Sequence, residues 1–310
     1  MGIAGNERAF CLGARAIRST GVALLLLGGV MAGAVGAQTA GARGAGEPPA
    51  LLRQAPEASQ TATALAEAIR IDDLIAVLVE EELLFGDDLR SDMLPELDPQ
   101  RWRRLMSGPI DAVQLTPVFL DALNGALPTA PDDLAPLVAV ARAPVMAKAI
   151  DFELKARQLL LDIDVEDAAF ERADAARGSK RYEALADYVA ALDLVELSVS
   201  GSLNSNLTLY RAMRDGGAFP FDVTEEDMVS DVASEADALR QDIGEWIMAY
   251  LYMAYTPLSD AEFSQLVELG TSQAGRDLFR AVDQGYEAVF THNSKALGGL
   301  VAARLAGEDL

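Results

Sequence analysis

Residues 246–255 have the sequence Trp-Ile-Met-Ala-Tyr-Leu-Tyr-Met-Ala-Tyr (WIMAYLYMAY), and this stretch decides the fold class. Its side chains are apolar or aromatic on every side, which is typical of a helix that is buried all round. A helix that crosses a bilayer needs about 20 apolar residues, so this shorter stretch predicts a central core helix. We expect Trp246 to pack in the core rather than to form an aromatic cofactor site.

Helical patterns continue on both sides of this stretch. Before it, Thr224 precedes an acidic first turn, as a helix-capping hydroxyl does. After it, Ser259 and Glu262 have the spacing of a capping box. Residues 195–199 alternate as a strand would, but the longer helical period of residues 182–213 favours a helix there too.

The chain therefore predicts an all-α fold, a compact bundle of roughly eight to ten helices. Glycine and proline mark the expected helix ends. We expect a helix to stop at Gly86, Pro144 to divide a long helical stretch, and Gly298 and Gly299 to end the ordered region.

Residues 1–37 have the pattern of a signal peptide. Arg8, Arg15 and Arg18 form a basic leader, and an apolar run follows that ends in small residues at Ala37. The run is too short and too rich in glycine and alanine for a membrane anchor. We therefore expect cleavage, export to the periplasm and no stable membrane anchor afterwards.

A weak internal repeat is visible. Residues 133–138 line up with residues 262–267, and Ala143 then aligns with Ser272 without a gap. Two degenerate helical repeats that pack against each other would explain the match. Chance similarity between amphipathic helices is the alternative.

These features give the predicted domain organisation. The mature chain would begin at Gln38, and residues 38–60 would form a flexible tether. Residues 61–300 would form a single all-helical domain, with possible repeat halves at 61–160 and 180–300.

Composition excludes several classes of function. The chain has 48 acidic and 25 basic side chains, a net charge of −23, which disfavours nucleic acid and anionic membrane surfaces as partners. Cys11 is the only cysteine and lies in the predicted signal peptide, and His292 is the only histidine. We therefore expect no metal site, no cofactor and no cysteine nucleophile.

Carboxylates are the remaining catalytic option, since a general acid needs a carboxyl group with a raised pKa in an apolar cleft. Glu153, at the edge of an apolar helix face, is the candidate, and Glu196 is a second one. A glutamate in such a place more often pairs with an arginine, and Arg157 lies four residues on. We therefore expect a partly buried, structural Glu153 that is ion-paired with Arg157; catalytic residues otherwise stay unknown.

Two other motifs partly match the sequence signatures of known functional sites. Residues 270–275 (GTSQAG) almost form a nucleophile elbow, but they have one residue too many and follow a helix instead of a strand. Residues 162–167 (DIDVED) contain four acids, but their spacing does not fit a calcium loop. We interpret the latter as a solvated acidic loop.

Residues 258–279 (LSDAEFSQLVELGTSQAGRDLF) resemble the signature of domain-of-unknown-function family 2059. The similarity consists of a capped helix start at Ser259, an apolar pair, and then Ser272 and Gly275. The resemblance implies an exported, all-helical protein, and it implies no activity, cofactor or catalytic residue.

Together these features favour a non-catalytic interaction or binding protein of the periplasm, whose partner is a protein or a small apolar ligand. One alternative is a carrier that holds an apolar ligand in a closed helical cavity. Another is a carboxylate-dependent hydrolase of cell-envelope material, which would need two acids about 5–9 Å apart across a cleft.

Overall fold

The computed structural model describes residues 56–307, with the side chains of residues 60–130 and 132–307. This part of the chain consists of helices and their connections, and it contains no strand. The all-α fold class is therefore confirmed. The predicted signal peptide, residues 1–37, and most of the predicted tether, residues 38–60, lie outside the described residues.

The described residues form thirteen helices, so the expected number of eight to ten is wrong. The helices are α1 (Pro56–Ala68), α2 (Ile71–Met93), α3 (Pro99–Met106), α4 (Ala112–Ala126), α5 (Pro131–Ala141), α6 (Pro144–Leu159), α7 (Ile163–Ala175), α8 (Lys180–Ala191), α9 (Leu194–Asp215), α10 (Glu225–Ser234), α11 (Ala236–Tyr255), α12 (Asp260–Thr271) and α13 (Gln273–Leu305).

The additional helices arise because short breaks interrupt the helical backbone without changing the spacing of the apolar residues. Asp193 has a φ of 52° and separates α8 from α9, which the sequence pattern had joined. Asp162 accepts a hydrogen bond from the backbone N–H of Asp164 and caps α7, where a solvated loop was expected. Helix α1 begins inside the predicted tether, so residues 56–60 are helical.

Local capping signals place several helix starts correctly. Thr224 and Ser259 each accept a hydrogen bond from the third backbone N–H of the helix, and the carboxylate at that position accepts one from the backbone N–H of the capping residue. These reciprocal bonds satisfy backbone groups that a helix start otherwise leaves unpaired. Pro144 is the first residue of α6 and divides the long stretch as predicted.

Two glycines that were expected to end helices lie at close helix crossings instead. A Cβ at Gly86 would lie 2.1 Å from Sδ of Met106, and the Trp102 indole donates a 2.8 Å hydrogen bond to the Gly86 carbonyl. A Cβ at Gly298 would lie 2.6 Å from the carbonyl oxygen of Leu209. Helices α2 and α13 continue past these glycines, which permit α3 and α9 to approach.

The core is built around α11 and α13. Helix α13 packs along α9 and α4, while α11 contacts α6, α7 and α9. Trp246 is buried, and its ring stacks on Tyr250 with the centroids 4.9 Å apart. The prediction of a central helix at residues 246–255 is confirmed. The main apolar cluster runs from Ala62 to Val301 and so includes residues of both predicted repeat halves.

The two segments of the suspected repeat have the same local architecture. Helix α5 is followed by Ala143, the N-cap of α6, and α12 is followed by Ser272, the N-cap of α13. These two caps are the residues that the sequence aligns, although only Ser272 supplies a side-chain bond. Corners between helices also recur in unrelated proteins, so the repeat stays a prediction.

Candidate functional site

Glu153, the candidate from the sequence, is buried on α6 with 3% of its surface exposed. The Tyr255 hydroxyl donates a 2.5 Å hydrogen bond to its Oε1, while its Oε2 has no partner. Burial raises the pKa of Glu153 to about 8, and the Tyr255 bond and the charge of Arg157 offset this only in part. The carboxyl group is therefore neutral at neutral pH.

The expected ion pair between Glu153 and Arg157 is wrong. Arg157 is buried and donates from Nε and Nη2 to the two carboxylate oxygens of Glu81, each at 2.7 Å. Burial acts to lower the pKa of Arg157, but the charge and hydrogen bonds of Glu81 outweigh it and hold the pKa above its ordinary value. A bidentate pair of this kind is stronger than the single contact that a helical neighbour offers.

A second neutral acid lies beside this pair. Burial raises the pKa of Glu82 to about 8, the charge of Glu81 adds to the shift, and the charge of Arg157 opposes it. Oε1 of Glu82, both amide atoms of Asn293 and the hydroxyl of Tyr286 make no hydrogen bond. Helices α2, α6, α11 and α13 thus enclose a buried polar cluster that contains the Glu81–Arg157 ion pair.

Glu81, Glu82 and Asn293 were not predicted from the sequence. The sequence signal that could have identified them is a polar residue on an otherwise apolar helix face. Glu81 and Glu82 lie between Leu78 and Phe85 on α2. Asn293 likewise lies between buried apolar positions of α13.

The outer side of this cluster forms the floor of an open cleft, which we call the α2–α11 cleft. It has a volume of about 580 Å³. At its base lie the Glu81–Arg157 pair and Trp246, whose indole N–H donates a 3.1 Å hydrogen bond to Glu166. The other lining residues are apolar (Leu84, Leu160, Leu161 and Ile163) or acidic (Asp87, Asp88 and Asp167).

The cleft also has unusually exposed apolar side chains at its rim. Leu84 is 42% exposed and Ile163 is 57% exposed, and Leu159, which precedes two lining leucines, is 41% exposed. Five carboxyl groups and one guanidinium line the cleft, so it is acidic as well as apolar. This combination suits a cationic occupant with apolar side chains.

The other residues of the sequence analysis have structural partners. Glu196 is half exposed, and Arg240 donates to both of its oxygens at 2.5 and 3.1 Å. The hydrogen bond from Arg240 lowers the pKa of Glu196, the opposite of what a catalytic acid needs. His292 lies 3.0 Å from the carbonyl oxygen of Pro109 and joins α13 to the α3–α4 connection.

The motif at residues 270–275 is a helix junction rather than a nucleophile elbow. Ser272 Oγ donates to the Leu269 carbonyl at 2.6 Å and accepts from the Gly275 N–H at 3.0 Å. Its hydroxyl therefore caps α13. No group of three or more His, Cys, Asp or Glu side chains within residues 60–307 is placed to hold a metal ion.

No family model, curated protein or solved structure matches the chain. Over the part of the chain that the structure describes, none of the helices combines the length and apolar character that a membrane crossing requires.

Proposed function

We propose that this protein is a non-catalytic binding protein of the periplasm and that its α2–α11 cleft takes a basic, amphipathic segment of a partner protein. The observation that carries the proposal is the lining of the cleft. Exposed Leu84 and Ile163 offer apolar contact, and Asp167 and its acidic neighbours surround them with negative charge. Amphipathic helices commonly bind to apolar grooves, and charge at the rim selects the partner.

The buried polar cluster supports a binding role over hydrolysis. The raised pKa of Glu153 would suit a general acid, but the carboxyl group is held by Tyr255 and is almost fully buried. A general acid must come within hydrogen-bonding distance of its substrate. Glu81 does face the cleft, but Arg157 engages both of its oxygens.

A carrier of apolar ligands receives less support. The α2–α11 cleft is open and is lined by five carboxyl groups, of which Glu81 and Asp87 already pair with Arg157 and Arg103. An apolar molecule would still remove exposed Asp167 from water without offering it a partner. A basic segment would form ion pairs with the acids of the cleft. Its apolar side chains could then fill the cleft without leaving a buried charge unpaired.

The cleft can be tested with a synthetic Lys/Leu peptide of about 14 residues, near the length at which an isolated helix becomes marginally stable. Trp246 lines the cleft and reports binding by fluorescence in a Trp102→Phe background. We expect Asp167→Asn and Ile163→Ser each to weaken binding about threefold to tenfold at low salt. Glu226→Gln, an exposed acid on α10 outside the cleft, should bind as the parent does.

A matched Glu/Leu peptide provides the second control and should not bind. Equal binding of both peptides would contradict the charge argument. Unchanged affinity in both cleft variants would show that the peptide binds elsewhere and would overturn the proposed site.

The periplasmic location rests on the leader sequence. Its basic start and apolar run predict cleavage after Ala37. Mass spectrometry of the protein from its native cells should give an N-terminus at Gln38, whereas an intact Met1 would contradict export by this route.

A further inference from the structure

A second, smaller pocket lies between α9 and α13, and we call it the serine pocket. It has a volume of about 240 Å³. Helix α9 contributes Ser202, Asn204 and Ser205 to its lining, and α13 contributes acidic side chains and the ring of Phe290. The pocket is separate from the α2–α11 cleft and shares no lining residue with it.

Ser205 is an unpartnered polar group that faces this pocket. Only 8% of the residue is exposed, and its hydroxyl makes no hydrogen bond to another described group. Ser202 beside it donates a 2.8 Å hydrogen bond to the Ser198 carbonyl, and its hydroxyl oxygen can still accept a hydrogen bond. The Ser205 hydroxyl is open to the pocket, so it can bond to a polar group of an occupant.

The opposite wall carries two carboxyl groups one helical turn apart. Burial raises the pKa of Asp283 to about 7, and the neighbouring charge of Glu287 adds to the shift. Glu287 accepts a hydrogen bond from Gln284 at 3.2 Å. The lining side chains from α9 are uncharged, and no basic side chain lines the pocket. Arg280, one turn before Asp283, pairs with Asp277 instead.

We propose that the serine pocket binds a small protonated amine that also carries hydroxyl groups. The ammonium group would lie against Asp283 and Glu287, which would relieve their mutual repulsion. The hydroxyl groups would bond to Ser205, Ser202 and Asn204, and the carbon skeleton would contact Phe290. The pocket is smaller than the 300–1,000 Å³ typical of drug-sized ligands, which favours a small occupant.

The proposal does not depend on partner binding in the α2–α11 cleft, and its test uses different probes. The probe is 2-amino-1,3-propanediol, and glycerol, which has a hydroxyl in place of the amine, is the matched control. NMR titration of the mature protein should show saturable, millimolar binding of the amino diol and at least tenfold weaker binding of glycerol. Equal binding of the two would overturn the assignment to an amine.

Two variants test the residues. Asp283→Asn should weaken amino diol binding about tenfold, and Ser205→Ala about threefold. Asp242→Asn, an exposed acid on α11 outside the pocket, should leave binding unchanged. Circular dichroism should give the same spectrum for all variants. Full affinity in folded Asp283→Asn and Ser205→Ala proteins would overturn the site.

The pH dependence provides an independent readout. The amine stays largely protonated between pH 6 and 8, whereas Asp283 ionises over this range because its pKa is about 7. Affinity should therefore rise about tenfold from pH 6 to pH 8 in the parent protein. Asp283→Asn should abolish this rise. A parent affinity that does not depend on pH would contradict a role for Asp283.

Discussion

Glu82 and Glu153 are carboxyl groups placed where a negative charge is costly. Burial raises the pKa of each to about 8, so both are neutral at neutral pH. Arg157, the guanidinium buried beside them, pairs with the charged carboxylate of Glu81. This division avoids three carboxylates around one cation, which burial would make strongly unfavourable.

The Glu153→Gln variant tests the neutral state of that residue. The ordinary pKa of a glutamate is 4.5. The raised pKa in the folded protein therefore contributes stability that is complete below pH 4.5, declines as the pH rises and is lost above about pH 8. Glutamine does not ionise, so the variant should gain stability relative to the parent over this window, by at most about 1.4 kcal/mol per pH unit. Denaturant unfolding at several pH values measures the difference.

Glu196→Gln is the matched control for this prediction. Arg240 lowers the pKa of Glu196, so the parent should hold its advantage above pH 4.5 and lose it as the pH falls. The two variants should thus show opposite trends with pH. A constant difference between Glu153→Gln and the parent from pH 5 to pH 9 would show that Glu153 is ionised in the fold.

At the scale of elements, the junction between α12 and α13 depends on a close backbone contact. Ser272 caps the start of α13 through the Gly275 N–H. A Cβ at Gly275 would lie 2.2 Å from the Leu269 carbonyl oxygen and 2.5 Å from that of Gly270. Backbone atoms cannot move aside as a flexible side chain can, so the corner requires glycine at this position.

Gly275→Ala should therefore destabilise the protein by about 1–3 kcal/mol, the range for overpacked sites. Gly299→Ala on the same helix is the control, because Gly299 is exposed and a Cβ there meets no atom within 4 Å. It should stabilise the protein by about 0.5–1 kcal/mol, since alanine loses less backbone freedom in a helix. Chemical denaturation of both variants measures the two effects. A similar gain in stability in both variants would show that a Cβ at Gly275 meets no steric obstacle and would contradict the prediction.

At the scale of the whole molecule, one apolar cluster joins helices from both ends of the described chain. Trp102 is buried on α3, in the first predicted repeat half, and Trp246 is buried on α11, in the second. Helix α13 contacts α3, α4, α5 and α9, and so bridges both halves. Such continuity should make the halves unfold together.

The two tryptophans allow this cooperativity to be measured. Trp102→Phe and Trp246→Phe each leave one fluorescent reporter, in a different half of the chain. In each variant, the fluorescence transition in urea should coincide with the loss of helical circular dichroism, as in two-state unfolding. Separate midpoints for the two probes within one variant would show that the repeat halves are independent units.

The all-α class, the division at Pro144 and the capped helix starts after Thr224 and Ser259 could all be predicted from the amino-acid sequence. These features depend on side-chain periodicity and on bonds between residues that lie within four positions of each other. The burial of Trp246 followed in the same way, because an all-apolar helix has no face that favours water.

The tertiary structure alone decided which groups meet across distant parts of the chain. Arg157 pairs with Glu81 on another helix instead of Glu153 one turn away, and Gly86 permits a helix crossing instead of ending a helix. The serine pocket likewise exists only where α9 packs against α13. Sequence spacing fixes neighbours along one helix, but packing fixes which helices touch, and burial then sets the charge of the groups between them.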